Sequence, residues 1–234
     1  MTATPESRRG RPPKGSSRLN RPAVVEATLK VIDSDGVDAV SMRTVARVLG
    51  VDAKSLYNHV DGKDDLLDAV AEHILGSVPL PERTGDPRAD LRAIAHAFRQ
   101  CTLAHPQAAS LVLTRQLASF PALAPVEAVL AVLRSAGCPP GEAVPLLRAL
   151  VALVIGTLLR EAQAGPTYGT TDPAAIARRR TELERSGLPH VAEAAADLAR
   201  FDSDAEFAHT VDLALDALAT RLGLGGPRTG ADTT

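Results

Sequence analysis

Residues 41–60 carry polar side chains at a spacing suited to reading the edges of nucleic-acid bases. A helix-compatible segment ends at Gly50, and Asp52 stands where the N-cap of a second short helix belongs. We predict that this second helix covers residues 53–59. It exposes hydrogen-bonding side chains and almost no acid, which suits contacts to bases and phosphates. The side chains concerned are Lys54, Ser55, Tyr57, Asn58 and His59.

Two short helices joined by a tight glycine-containing turn form a helix-turn-helix motif, whose second helix enters the major groove of DNA. Apolar residues recur at three- and four-residue spacing through both segments, as a buried face requires. An ordinary helical hairpin with a solvated face has the same spacing, so the motif alone leaves that alternative open. The apolar positions are Met42, Val45, Ala46, Leu49, Val51, Leu56 and Val60.

Residues 22–78 resemble the DNA-binding domain of the tetracycline-repressor (TetR) family. The resemblance rests on Gly50-Val51, Leu56-Tyr57-x-His59-Val60, Lys63 and Leu66-Leu67. It implies that the positions meeting DNA are Arg43, Lys54, Ser55, Tyr57, Asn58, His59 and Lys63. Ala53 stands where the tetracycline repressor has a base-reading glutamine, so the operator sequence does not carry over.

The composition is that of a soluble globular protein, with 45% apolar and 23% charged residues and a net charge of −2. The charge is uneven, because residues 1–22 contain six basic residues and one acid, Glu6. A basic arm ahead of an acidic body indicates a polyanionic partner at one end. The polar, basic N-terminus does not resemble a signal peptide, so we expect a cytoplasmic, nucleoid-associated bacterial protein.

Residues 1–19 are rich in Pro, Gly, Ser and Arg, and we expect them to be a disordered basic arm. Within them, Arg9-Gly10-Arg11-Pro12 resembles the AT-hook core. A slim extended backbone fits the minor groove, where Arg9 and Arg11 would meet the strong negative potential of A·T tracts. A merely basic tail that attracts phosphates without preference is the alternative.

The remaining chain has helical periodicity and no convincing strand, so we predict an all-α fold. A DNA-binding domain is expected at residues 20–78, with helices at 21–35, 41–49, 53–59 and 63–76. Prolines 79, 81 and 87 mark a boundary. An effector-binding and dimerisation domain follows at 86–222, and residues 223–234 are expected to be a disordered tail.

The predicted helix at 142–163 is apolar nearly all round and must be covered on both sides. Arg148 interrupts it, leaving it short of the roughly 18 apolar residues of a membrane span, so we predict a buried helix. The helix at 203–222 offers a complementary apolar stripe. Together they predict a two-fold four-helix interface between two copies, as the family resemblance also implies. A central strut within one subunit is the alternative.

We predict that the helices between residues 86 and 137 enclose an effector pocket with apolar walls and a few polar groups, although any helical core has a similar composition. His105, directly before Pro106, also fits a structural role at a helix end. The candidate effector-binding residues are Phe98, Thr102, His105, Leu113, Gln116, Leu117, Leu130, Arg134, Leu147 and Val151.

The second domain is similar to the tetracycline repressor subclass of the family. The similarity lies in Phe98-Arg99, in His105 six residues after Arg99, and in Gly137 before the long helix. The histidine that helps that repressor hold its magnesium–drug chelate falls on Val112 here. We therefore expect no metal and no cofactor, and an effector that is larger and less charged.

These features favour a ligand-responsive transcriptional regulator, which we expect to be a repressor that binds a palindromic operator as a homodimer and is released by a small molecule. An architectural A·T-tract protein driven by the N-terminal arm is the alternative. We do not predict an enzyme, because the sequence has no nucleophile–base pair, no metal-ligand spacing and no glycine-rich phosphate loop.

Overall fold

The computed structural model describes residues 19–115, 119–164 and 169–223, and its fold is all-α as predicted. Within these residues there is no β-strand, and a single parallel β-bridge joins Thr170 to Arg200. A π-helix, Arg160–Ala164, continues α8. The α-helices are α1 (Arg21–Asp35), α2 (Met42–Leu49), α3 (Ala53–Leu56), α4 (Lys63–Gly76), α5 (Pro87–Leu103), α6 (Ala109–Thr114), α7 (Ala124–Ser135), α8 (Pro140–Leu159), α9 (Pro173–Glu184), α10 (Pro189–Glu193), α11 (Ala195–Leu198) and α12 (Ser203–Leu222).

Local capping residues set the bounds of the first helices. The side-chain oxygen of Asn20 accepts a hydrogen bond from the Ala23 N–H at 2.9 Å and begins α1. Ser41 begins α2 through a reciprocal capping box with Thr44. Gly50 ends α2 with φ +67°, a left-handed conformation that favours glycine, and so makes the tight turn of the motif.

The second helix of the motif is shorter than predicted. It has one α-helical turn, Ala53–Leu56, which begins where the Asp52 side chain accepts from the Lys54 N–H at 2.7 Å. The N–H groups of residues 57–59 then bond to carbonyls three residues back, at 2.9 to 3.4 Å. This tighter winding satisfies the end of a helix too short for a full α-helical ladder. We call residues 53–59 the recognition segment.

The first hydrophobic core joins the two predicted domains. Leu56, Leu66 and Val70 have no exposed surface and lie at its centre. The same cluster includes Leu111 and Val112 of α6, which pack onto the helices of the N-terminal part. The helix that follows the motif, α4, therefore packs against both α1 and α6.

The second core is formed by α5, α7, α8 and α12. The apolar stripe that we predicted on the last helix lies in this core, where Phe207 has no exposed surface and Leu215 retains only 3%. The sequence analysis described this stripe as complementary to the predicted helix at 142–163, and the two helices do pack together within one chain. The stripe packs against α8 and α5 of its own chain because those helices supply the nearest apolar surface.

The long apolar helix is also less buried than we predicted. By length and composition, Pro140–Ala162 is apolar enough to cross a membrane, and only 17% of its 18-residue window is buried within the chain. Val151 and Leu153 keep 39% and 46% of their surface exposed. One copy of the chain does not supply enough surface to cover both sides of α8.

Candidate DNA-binding surface and effector cavity

The recognition segment presents its polar side chains outward. Lys54, Tyr57 and Asn58 are exposed, and Ser55 and His59 are half-buried at the edges of the same surface. Leu56, in the middle of the segment, has no exposed surface and anchors it to the first core. The structure thus brings together the five side chains that the sequence predicted.

Two further predicted residues, Arg43 at the start of α2 and Lys63 at the start of α4, are exposed at the ends of their helices. Arg47, which we did not predict, is also exposed. It follows Arg43 by four residues and therefore lies one turn further along the same face of α2. That spacing was visible in the sequence and could have identified it.

The end of the recognition segment is held by an arginine from α1. Nη1 of Arg21 donates to the carbonyl oxygen of His59 at 2.9 Å. The same guanidinium binds both carboxylate oxygens of Asp65 on α4, at 2.6 and 3.0 Å. Hydrogen bonding from Arg21 lowers the pKa of Asp65. One side chain therefore connects the recognition segment to both α1 and α4.

An apolar cavity of about 330 Å³ lies between α4 and five helices of the second domain, α5, α6, α7, α8 and α12. Its volume is in the range of small-molecule sites. Four of the predicted effector-binding residues line it: Phe98, Leu113, Leu147 and Val151. Val112 lines it as well. The inward stripe of α12 contributes Val211 and Leu215, which the sequence analysis did not predict as effector-binding residues.

Other candidates for the effector site lie elsewhere in the fold. His105 faces the N-terminal part of the chain, where its Nδ1 lies 3.0 Å from Asp33 Oδ2. Arg134 donates to the carbonyl oxygen of Cys138 at 2.6 Å and closes the end of α7. Thr102 is buried on α5, and Leu130 packs against the second core, both outside the cavity wall. Helical periodicity identified a buried face but not which part of that face borders the cavity.

Four of the predicted site residues lie outside the described part of the chain. They are Arg9, Arg11, Gln116 and Leu117.

Arg115, at the end of α6, is the one charged residue among the described residues that line the cavity. Its guanidinium also forms an ion pair with Asp68 on α4 and lies 3.4 Å from Asp64 Oδ1. Hydrogen bonding to Asp68 raises the pKa of Arg115, so the group stays charged. Arg115 therefore lies both at the cavity wall and at the surface, where it contacts α4.

Further contacts hold α4 against the second domain. Cys101 Sγ lies 3.2 Å from the carbonyl oxygen of Ile74, and the Ser119 N–H donates to Glu72 Oε1 at 3.1 Å. Leu75, near the end of α4, lines the cavity itself. The cavity wall therefore includes α4, the helix that carries Asp65. Asp65 is in turn connected to the recognition segment through Arg21.

Known proteins share both halves of this arrangement. Residues 24–70 match the profile of bacterial regulatory proteins of the tetR family, and residues 78–222 match the tetracyclin repressor-like C-terminal domain. The chain is similar to an HTH-type transcriptional regulator of Saccharopolyspora erythraea, with 39% identity over 144 residues. That match spans 61% of each chain, less than two thirds of the relative's length.

Two other relatives match over most of the chain. The tetracycline repressor protein class A from transposon 1721 of Escherichia coli is 30% identical over 227 residues, covering 92% of this chain and all of that protein. The crystal structure of the Streptomyces coelicolor TetR family protein ActR in complex with actinorhodin has a TM-score of 0.77 at 25% identity, over 88% of this chain and all of ActR. With matched profiles over both domains and a relative aligned over nearly its whole length, this chain belongs to the TetR family of transcriptional regulators.

Proposed function

We propose that the protein is a repressor that binds a palindromic operator as a homodimer and is released by a small molecule. The observation that carries this proposal is the recognition segment, whose polar side chains face outward from a buried leucine. Because the chain belongs to a family of transcriptional regulators, we expect this surface to contact DNA.

Each side chain has a role that follows from its chemistry. Lys54, Ser55 and Asn58 face base edges in the major groove, where Asn pairs with adenine and Lys with guanine. Such contacts contribute about 1–3 kcal/mol of discrimination each. Tyr57, His59, Lys63 and Arg43 contact phosphates and set the register of the domain on the duplex.

A dimer is required because one recognition segment reads too few base pairs to specify a site. Its interface is proposed at the outer faces of α8 and α12, which pack against each other within the chain. Leu153 on α8 and Leu213 on α12 are exposed by 46% and 58%. Covering these faces with the same faces of a second copy forms a four-helix interface.

The dimer can be tested with two matched leucine variants. Leu213 and Leu188 are both 58% exposed, but Leu188 lies at the start of α10, away from α8 and α12. We expect Leu213→Glu to shift the protein towards monomer in sedimentation velocity, because it places a charge in the apolar interface. Leu188→Glu should leave the sedimentation coefficient unchanged. A dimer that persists in Leu213→Glu as it does in Leu188→Glu would contradict this interface.

Release follows if an effector in the cavity changes the position of α4. Because Leu75 lines the cavity, an occupant contacts α4 directly. The effector must bind the two positions of α4 with different affinity, and such coupling typically amounts to about 1–3 kcal/mol. ActR has been crystallised with actinorhodin, which supports a small-molecule ligand in a related fold.

DNA binding itself is tested by comparing two exposed lysines of the N-terminal part. Fragments of genomic DNA retained by the wild-type protein provide the operator, and its affinity is then measured for Lys54→Ala and Lys30→Ala. We expect Lys54→Ala to weaken binding at least tenfold, as a lost base contact does. Lys30, on α1 and outside the recognition segment, should have little effect. Equal affinities for the two variants would remove the recognition segment from the interface.

A further inference from the structure

Arg115 is the one charged residue among the described residues that line the cavity, and its guanidinium lies at the border between the cavity and α4. The other described lining residues are aliphatic side chains, one proline, Pro125, and one aromatic ring, Phe98. We propose that the effector is a largely apolar molecule with one acidic group, and that this group binds Arg115 in place of Asp68. This inference rests on the proposed function, because it names the ligand class and the release step of the same cavity.

The wall determines how many polar groups an occupant can carry. A hydroxyl or amide that enters an apolar site without a partner loses its hydrogen bonds to water and gains none. Most of the lining residues lie inside helices, where the backbone N–H and C=O groups are bonded to one another. Arg115 is therefore the one described lining side chain that offers hydrogen-bond donors, and its charge selects an anion over a cation.

A guanidinium is well suited to this task. It presents planar, parallel N–H donors that match both oxygens of a carboxylate, and it stays charged at any physiological pH. Hydrogen bonding to Asp68 raises the pKa of Arg115 still further. A carboxylate or another acidic group of similar geometry can therefore form a bidentate pair with it.

The present partners of Arg115 are replaceable. Asp68 keeps 46% of its side-chain surface exposed, and Asp64 keeps 93%. A carboxylate that already contacts water is rehydrated readily when its partner is withdrawn. An acid whose apolar body fills the cavity displaces water from around Arg115, which strengthens the charge-assisted pair it forms there.

The exchange also determines the direction of the regulation. Asp64 and Asp68 lie in the first turns of α4, on either side of Asp65, through which Arg21 reaches the His59 carbonyl. When the acid pairs with Arg115, the ion pairs between Arg115 at the end of α6 and the carboxylates of α4 are lost. Ligand and α4 thus compete for one guanidinium, so acid binding favours the released position of α4.

Matched probes test the ligand class. We would measure the binding of 9-anthracenecarboxylate and 9-anthracenemethanol by fluorescence, and of decanoate and 1-decanol by calorimetry, at pH 7.5. Within each pair the apolar part is the same, and the carboxylate of one compound is replaced by a hydroxyl group in the other. We expect at least one acid to bind about tenfold more tightly than its alcohol, as a charge-assisted hydrogen bond predicts.

Three variants assign the preference to Arg115. Arg115→Met should remove the acid preference and leave the affinity for the alcohol unchanged, whereas Arg115→Lys should retain part of it. Asp68→Asn should bind the acid several-fold more tightly, because the competing carboxylate is gone. Arg88→Met is the control, since Arg88 pairs with Asp216 at 2.5 Å, outside the cavity wall.

Equal affinities within both wild-type pairs, or no saturable binding by any of the four compounds, would overturn the proposal. So would an acid preference that persists in Arg115→Met. These measurements need no DNA, so their failure leaves the proposed DNA binding intact. Loss of the proposed function would instead be seen as a failure of the wild-type protein to retain any specific genomic fragment.

Discussion

Arg21 and Asp65 form a bidentate ion pair that joins the first turn of α1 to the first turn of α4, with one N–O distance of 2.6 Å. The arginine also binds the carbonyl oxygen of His59, at the end of the recognition segment. The position of the segment therefore depends on α4, and α4 borders the cavity. This pair and the first hydrophobic core together connect the two sites of the protein.

The pair makes stability depend on pH through Asp65. Because hydrogen bonding from Arg21 lowers the pKa of Asp65 in the folded state, the pair contributes fully above the unfolded-state value of 3.8. The contribution is lost as the pH falls through the lower folded-state pKa. We expect Asp65→Asn to lower the free energy of unfolding by about 1 kcal/mol at pH 7, since the pair is partly exposed and screened by solvent.

Urea unfolding at pH 7 and at pH 3 checks this prediction. The difference between wild type and Asp65→Asn should shrink at the lower pH. Asp64→Asn is the control for the helix dipole, because Asp64 lies in the same first turn, while its side chain is 93% exposed and its contact with Arg115 is long, at 3.4 Å. A difference that stays constant with pH, or an equal effect of Asp64→Asn, would show that Asp65 acts without its ion pair.

We propose that Arg43 contacts a phosphate, and that Arg47, exposed one turn further along the same face of α2, does so too, which makes the effect of each arginine depend on salt. Each phosphate contact that is lost should reduce the slope of log K against log [salt] by about 0.9 per subunit. We expect Arg43→Ala and Arg47→Ala each to lower the slope by about that amount without changing the preferred operator. Titrations of a fluorescent operator between 50 and 200 mM salt measure this slope. Arg83→Ala, outside the N-terminal part, should leave the slope unchanged.

Gly156 reports on the proposed dimer. It is exposed on α8, and a Cβ added there would meet no atom of its own chain within 4 Å. A second copy packed on this face would collide with a larger side chain, so we expect Gly156→Leu to weaken dimerisation at least tenfold without unfolding the chain. Gly141→Leu is the control, since Gly141 is equally open but lies at the start of α8. Sedimentation at several concentrations distinguishes the two.

Deletion of residues 1–19 separates the two modes of DNA binding. The arm carries five of the basic residues, Arg8, Arg9, Arg11, Lys14 and Arg18. We expect a moderate loss of affinity, about tenfold at low salt, with the same operator still preferred over unrelated DNA. Complete loss of binding, or loss of the preference, would favour an architectural A·T-tract protein. A variant with Arg9 and Arg11 replaced by Lys keeps the charge and isolates any minor-groove contribution.

The sequence predicted the helix ends well where the capping hydrogen bonds are local. Asn20, Ser41 and Asp52 are caps whose hydrogen bonds lie within three residues, so their effect does not depend on the rest of the fold. The recognition segment was predicted for the same reason, although its winding was not.

The cavity was predicted less well because its wall is assembled from distant parts of the chain. Val211 and Leu215 lie on an apolar stripe that fits either a partner or a cavity, and only the packing of α12 on α8 and α5 decides between them. His105 has a suitable side chain for a ligand, but Asp33, 72 residues earlier, lies against it. Periodicity identifies a buried face and cannot say what that face meets.

The symmetry of the bound DNA tests the central claim most directly. Genomic fragments retained by the purified wild-type protein should be enriched in one inverted repeat, with half-site centres about 34–36 Å apart or a multiple of this distance, as paired recognition helices require. Lys54→Ala should abolish that enrichment, and Lys30→Ala should preserve it. Enrichment of A·T-rich tracts without an inverted repeat, or the same fragments retained by Lys54→Ala, would contradict the account.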